Sequence, residues 1–272
     1  MSHLRRKILT SLLIAGLGFV LIVIACGGQV GSSTRKSTLM MGLIHRWQFD
    51  GDASDSMGNL SANAQGPVAY TDVGEGQGIV LNGTTTGISL PPAKDMQFQG
   101  SFSISVWAKL DARPPSSQMW SSIIFDGDDR AGFDPYALQA DPKGNIHFLV
   151  TGWQNNLGEI EAPLPLHTFV FLTASYDKTT GAESIYEDGK LVNQTVGNTT
   201  YTPVVQLVEH QNAGIGIGTN NGFPNSNYHF GWKGVLSDLR IYNRTLTPDE
   251  VVELYHLGVT HSKNRINPVI NP

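Results

Sequence analysis

The chain has 272 residues, of which 40% are hydrophobic and only 15% charged, with 30 Gly and 14 Pro. So many turn formers argue against long helices, yet they are too few for a disordered or collagen-like chain. A net charge of −5 lacks the basic face of a general nucleic-acid binder, and the single cysteine, Cys26, excludes an internal disulfide framework or a multi-cysteine zinc site.

Arg5, Arg6 and Lys7 precede an uncharged apolar run from Ile8 to Ala25, the pattern of an export signal. The run is long for a cleaved signal and reaches the lower end of the roughly 17–25 residues that span a bilayer. Its boundary, Val23-Ile24-Ala25-Cys26-Gly27, resembles the lipobox of bacterial lipoproteins, which implies that Cys26 is acylated and becomes the new N-terminus. The alternatives are therefore a lipid anchor on Cys26 or an uncleaved N-terminal membrane helix. Both leave the positive charges in the cytoplasm and export everything after Cys26. In a Gram-negative cell, Gly27 after the lipidated cysteine implies the outer membrane or cell surface, with the periplasmic side as the alternative. Removal of residues 1–25 takes away three of 18 basic residues and none of 23 acidic ones, so the net charge moves from −5 to −8. A Gly/Ser-rich tether follows, from Gly27 to Thr34. The expected division is an export segment at 1–25, a tether at 26–42, one domain at 43–258 and a tail at 259–272.

Along the body, short apolar runs read as strands: Leu43–Phe49, Ile79–Leu81 and Gly87–Leu90, then Ser101–Leu110. In the last of these Phe102, Ile104, Val106, Ala108 and Leu110 alternate with Ser103, Ser105, Trp107 and Lys109, a period of two with one buried and one largely wetted face. Further strands are expected at Ser122–Phe125, Tyr136–Ala140, Asn145–Val150, Ala213–Gly218 and Val235–Tyr242. Phe169–Ala174 is continuously apolar, as a strand buried on both sides would be. Turn signals separate the runs at Asp50-Gly51, Asn82-Gly83, Asp126-Gly127, Lys143-Gly144 and Asp188-Gly189. Near the end, Thr247 can cap a helix, Pro248 suits its first position and Glu250 completes a capping box. Val251, Val252, Leu254 and Tyr255 supply the apolar stripe, and Gly258 a stop. This helix is expected to cover an end of an all-β, two-sheet antiparallel sandwich.

Five motifs in order carry a family resemblance. They are LIHRWQFDGDASDSMGNLSANA from Leu43, GQGIVLNGTTTGISLP, SFSISVWAKL, the pair FVFLTASYD and ESIYEDGKLV, and FGWKGVLSDLRIYNRTLTPDEVVELY. Together they resemble a laminin-G-like jelly roll of the concanavalin A-like lectin/glucanase superfamily over Leu43 to Leu257. Ser237 stands where such domains usually carry Asp. Asp238, Arg240 and Tyr242 share one face of the final strand, a pattern expected to pair charges locally and lock that strand to the helix.

The resemblance implies a binding module, with glycoside hydrolysis as an alternative. Glucanases of this type need two carboxylates flanking the bond, and the comparable run here is Glu159-Ile160-Glu161, followed closely by Pro163. The expectation is a non-enzyme. Calcium is the expected cofactor, because Asp50, Asp52, Asp55 and Asn59 crowd one loop and Asp126, Asp128, Asp129 and Asp134 another. An aromatic beside amides suits sugar recognition, which singles out Trp153 with Asn155 and Asn156, Phe223 with Asn225 and Tyr228, and Trp120. The expected partners are a glycan or a surface protein, with the membrane reached through the anchor and no nucleic acid.

Overall fold

A computed structural model describes residues 38–58, 60, 62–74, 76–127, 134–151, 157–195, 214–220 and 230–266. The apolar run, Cys26 and most of the tether lie outside them. Among the described residues no helix is long and apolar enough to cross a membrane.

Among the described residues, fifteen strands and one longer helix follow in order. They are β1 (Leu43–Trp47), β2 (Asn63–Gln65), β3 (Ala69–Asp72), β4 (Gln77–Asn82), β5 (Gly87–Leu90), β6 (Phe102–Leu110), β7 (Ser121–Gly127) and β8 (Tyr136–Ala140). Then come β9 (Asn145–Thr151), β10 (Leu157–Pro163), β11 (Phe169–Asp177), β12 (Ala182–Glu187), β13 (Lys190–Thr195), β14 (Gly214–Ile217), β15 (Lys233–Tyr242) and α1 (Pro248–Ile266). One sheet runs β13-β12-β11-β6-β15-β4-β3, with β1 also on β15; the other runs β10-β9-β8-β7-β14-β5-β2. All the strand pairings are antiparallel, and the two sheets form a jelly-roll sandwich. The alternating side chains of β6 do what their period demands: Phe102, Ile104, Val106 and Ala108 enter the core between the sheets, with Trp47, Tyr136 and Phe148.

The other face of β6 is not wetted. Ser103 and Ser105 are fully buried, and the chain after β15 lies across Ser103. Ser103 Oγ donates to the Arg244 carbonyl (2.9 Å) and accepts from the Leu246 amide (3.0 Å). The helix begins as its capping box prescribes: the Thr247 amide donates to Glu250 Oε2 (3.0 Å) and the Glu250 amide to Thr247 Oγ1 (3.3 Å). It covers a sheet face rather than an end, burying Val251 and Leu254 against Phe171, Tyr186 and Tyr242. Gly258 does not stop it. A side chain there would put its first carbon 2.5 Å from Trp107, so this glycine allows close approach of helix to sheet, and α1 continues to Ile266, past the expected boundary at 258. Phe169–Ala174 lies in β11, buried on both sides: Val170 and Leu172 join the inner core and Phe171 packs under the helix.

Of two other turn signals, one resolves differently and one as expected. Asp126-Gly127 is the end of β7, not a turn. Asp188-Gly189, with φ of 50° and 80°, makes the tight β12–β13 hairpin that a pair of left-handed residues favours. The charges on β15 lock that strand to β1 rather than to the helix. Arg46 Nε lies 2.7 Å from Asp238 Oδ1, and Arg240 reaches both Asp238 oxygens at 3.2 and 2.5 Å. The helix is tied instead by Arg244, bidentate to Glu250 at 2.7 and 2.9 Å.

At one rim of the core Glu183, on β12, packs against Gly158 of β10 so tightly that any side chain at 158 would overlap its Oε1. Glu183 is 3% exposed, and its Oε2 has no hydrogen-bond partner. Burial first, and then the charge of Glu159, push its carboxyl from the ordinary 4.5 up to about 8. Between those values the folded protein holds a proton that the unfolded chain releases, so this residue's contribution to stability declines as pH rises through the interval. Glu183→Gln is expected to melt above the parent at pH 8.5 and close to it at pH 5. Equal differences at both pH values would contradict the assignment.

Candidate functional site

The loop after β1 is built around carboxylates that accept backbone donors. Asp55 Oδ1 takes the amides of Arg46 (3.0 Å), Met57 (3.1 Å) and Gly58 (3.0 Å), while Oδ2 meets His45 Nδ1 at 2.6 Å. Burial would raise its pKa, but these hydrogen bonds outweigh burial and hold it below the usual carboxylate range. His45 is itself buried, stacks on Trp47, and turns Nε2 toward Asp95 Oδ2 at 3.2 Å. Asp50 Oδ1 accepts the Gln77 amide at 3.0 Å, which ties the loop to β4. Asp52 Oδ1 accepts both the Ser54 hydroxyl (2.6 Å) and amide (2.9 Å), the cause of its lowered pKa.

Each of these three acids therefore has its own partners, and they do not converge on one point. Asn59, the fourth member of the expected set, lies outside the described residues. So do Asp128 and Asp129; Asp126 is buried in β7 facing its cross-strand neighbour Tyr136, whose hydroxyl pKa is raised by burial and then by that charge.

Beside this loop an open depression of about 780 Å³ is lined by Asp52, Ser54, Asp55, Gly58, Leu60 and Tyr70, among others. Tyr70, on β3, is half-buried, and burial followed by the charge of Asp52 raises its pKa, so the hydroxyl stays neutral. An aromatic ring, a hydroxyl and an exposed carboxylate thus share one concavity.

A second polar group lies on the outer face of the seven-stranded sheet. Register places Ser122, Gln139, His147 and Glu161 in one cross-strand row over β7, β8, β9 and β10. Ser122 Oγ, Gln139 Oε1 and His147 Nε2 are buried there without a hydrogen-bond partner. The His147 Nδ1 atom lies 2.7 Å from Glu159 Oε1, and Nε2 lies 3.2 Å from Asp141 Oδ2 and 3.3 Å from Glu161 Oε2. Asp141, in the β8–β9 turn, spends Oδ1 on the amides of Gly144 (2.7 Å) and Asn145 (2.9 Å). Burial would raise the Asp141 pKa and lower that of His147; hydrogen bonds and the opposite charges reverse both directions. Among the described residues, Asp141, His147 and Glu161 are the trio whose ligand atoms lie within 4.8 Å of one another. Trp120 stands edge-on to His147 at 4.9 Å.

Glu159 and Glu161 do share one face of an edge strand that ends at Pro163, but both meet a single imidazole instead of flanking an open groove. Of the expected sugar contacts, Trp153, Asn155, Asn156, Phe223, Asn225 and Tyr228 lie outside the described residues. Asn220 and Phe230 lie at the Trp120 end of the sheet, where the Ser122 amide donates to the Phe230 carbonyl at 2.7 Å, while Thr151 and Leu157 pair at the opposite end. Sequence reading missed His147 and Asp141, whose meeting with Glu161 depends on strand register.

No curated protein sequence matches the chain. Among solved structures, the chain is similar to domain 4 of AbnA, an extracellular arabinanase from Geobacillus stearothermophilus, in complex with arabinotriose. That match has a TM-score of 0.59 at 24% identity and covers 78% of this chain and 98% of that one. It is similar also to the binding domain of Paraclostridial Mosquitocidal Protein 1 (TM-score 0.62, 15% identity, 80% of this chain and 52% of that one). The binding domain of botulinum neurotoxin DC in complex with SialylT matches at a TM-score of 0.61 and 13% identity, over 80% of this chain and 52% of that one. The chain thus spans about half the length of the toxin binding domains. A laminin-G-type family profile, described as the concanavalin A-like lectin/glucanases superfamily, matches residues 82–252. With the two-sheet jelly roll already in view, that match over more than half the sequence places the chain in the concanavalin A-like lectin/glucanases superfamily.

Proposed function

We propose that this protein is an exported, membrane-anchored, non-catalytic module that binds carbohydrate, with the saccharide seated over Asp52, Ser54 and Tyr70. The observation that carries this reading is the depression itself. A sugar ring is recognised by an apolar surface with a few well-placed polar groups, and here the Tyr70 ring stands with the Asp52 carboxylate and the Ser54 hydroxyl in one concavity. The loop that bears Asp52 and Ser54 is held by hydrogen bonds to Asp55, so little ordering entropy is lost on binding. The similarity to an arabinanase domain in complex with arabinotriose supports a glycan as ligand. A protein ligand is the second reading, favoured by Leu191 and Val192, which are 50% and 43% exposed on the edge strand β13.

A glycan array that includes arabino-oligosaccharides is expected to show binding, and incubation with the same glycans to release no reducing ends. Tyr70→Ala and Asp52→Ala are each expected to weaken binding at least tenfold, about 1.4 kcal/mol, with the melting temperature little changed. Binding that survives both substitutions would place the saccharide elsewhere. Intact-mass analysis of membrane-extracted protein is expected to show a diacylated or triacylated chain beginning at Cys26; an unmodified Met1 start would replace the lipid with an N-terminal helix.

A further inference from the structure

We infer that Asp141, His147 and Glu161 form a binding site for one divalent first-row transition-metal ion, with Glu159 orienting the histidine. The site lies on β8–β10, shares no residue with the saccharide depression and does not rest on that reading.

Charge is the first argument. Three carboxylates surround one imidazole, and among the described residues none of them is paired with a lysine or arginine. A cation is the missing partner. The second argument is the state of His147. Its side chain is 9% exposed, and Nε2, aimed between Asp141 and Glu161, is buried without a hydrogen bond of good geometry. Donation from Nδ1 to Glu159 at 2.7 Å leaves the lone pair on Nε2, which is how metal-ligating histidines are commonly held. Distance is the third. Bonds of roughly 2.0–2.1 Å in tetrahedral geometry separate ligand atoms by about 3.3 Å, and Nε2 lies 3.2 and 3.3 Å from the two carboxylate oxygens.

The donor set selects the metal. One imidazole and two carboxylates suit zinc, manganese or cobalt, whereas calcium takes oxygen ligands and gains little from a nitrogen. Asp141 is pre-set by the β8–β9 turn and His147 by its strand. Glu161, 56% exposed, supplies the third ligand at low cost, since it need only settle toward the other two.

The test uses the full-length chain, stripped with EDTA and titrated with Zn2+, Mn2+ or Ca2+ alone. One zinc per chain is expected by elemental analysis, with a rise in melting temperature of about 3 °C or more and a much smaller shift in calcium. Substitution with Co2+ is expected to give visible d–d absorption. Glu161→Gln, on the exposed edge, is expected to weaken zinc binding at least tenfold and keep both the fold and any glycan binding. His147→Gln is expected to abolish zinc binding; if that variant is unstable, Glu161→Gln decides alone. Failure to take up zinc, or uptake unchanged by Glu161→Gln, would overturn the site and leave His147 as an imidazolium held by three acids.

Discussion

Asp238 sits in the middle of β15 with a left-handed φ of 49°, a conformation that costs a non-glycine residue free energy. Two arginines hold it there. Burial alone would raise its pKa, but Arg240, then Arg46, keep the carboxylate charged. The bulge at this point lets one ten-residue strand change neighbours along a single edge: Lys233–Leu236 pair with β4, and Leu239–Tyr242 pair with β1. On its other edge the same strand pairs with β6. The ion triad therefore joins the first strand to the last among the described residues.

The saccharide depression hangs from that joint. β1, fixed through Arg46, presents His45 and the Arg46 amide to Asp55, and Asp55 in turn gathers Met57 and Gly58. On the β15 side, Ser237 Oγ donates to the Gln77 carbonyl at 3.0 Å, and the Gln77 amide donates to Asp50. The wall of the depression is thus tied to the sheet at both ends, while Asp52 and Tyr70 keep their exposed surface. Most of the clustered acids in this loop shape the backbone, as Asp so often does in turns.

Much of the fold was legible because its signals are local. The period of β6, the apolar run of β11 and the Thr247/Glu250 capping box are all set by neighbouring residues. What misled were positions whose meaning is tertiary. Gly258 reads as a helix stop until Trp107 is seen beneath it. Ser103 and Ser105 read as wetted until Arg244 and Leu246 are seen lying across Ser103. Glu159 and Glu161 were visible as a pair, but the imidazole between them was not, because a one-residue slip of β9 against β10 would turn His147 to the opposite face. Trp120 was noticed for its aromaticity; its place beside His147 needed the same register.

The central claim, that this jelly roll binds a saccharide over the Asp52 and Tyr70 wall, is tested most directly by titrating the isotopically labelled protein with arabinotriose and following amide chemical shifts. Shifts concentrated at Gly51–Gly58 and Tyr70, saturating with one equivalent, are the expected result. Shifts confined to β8, β9 and β10 around Trp120, or none at all, would contradict it.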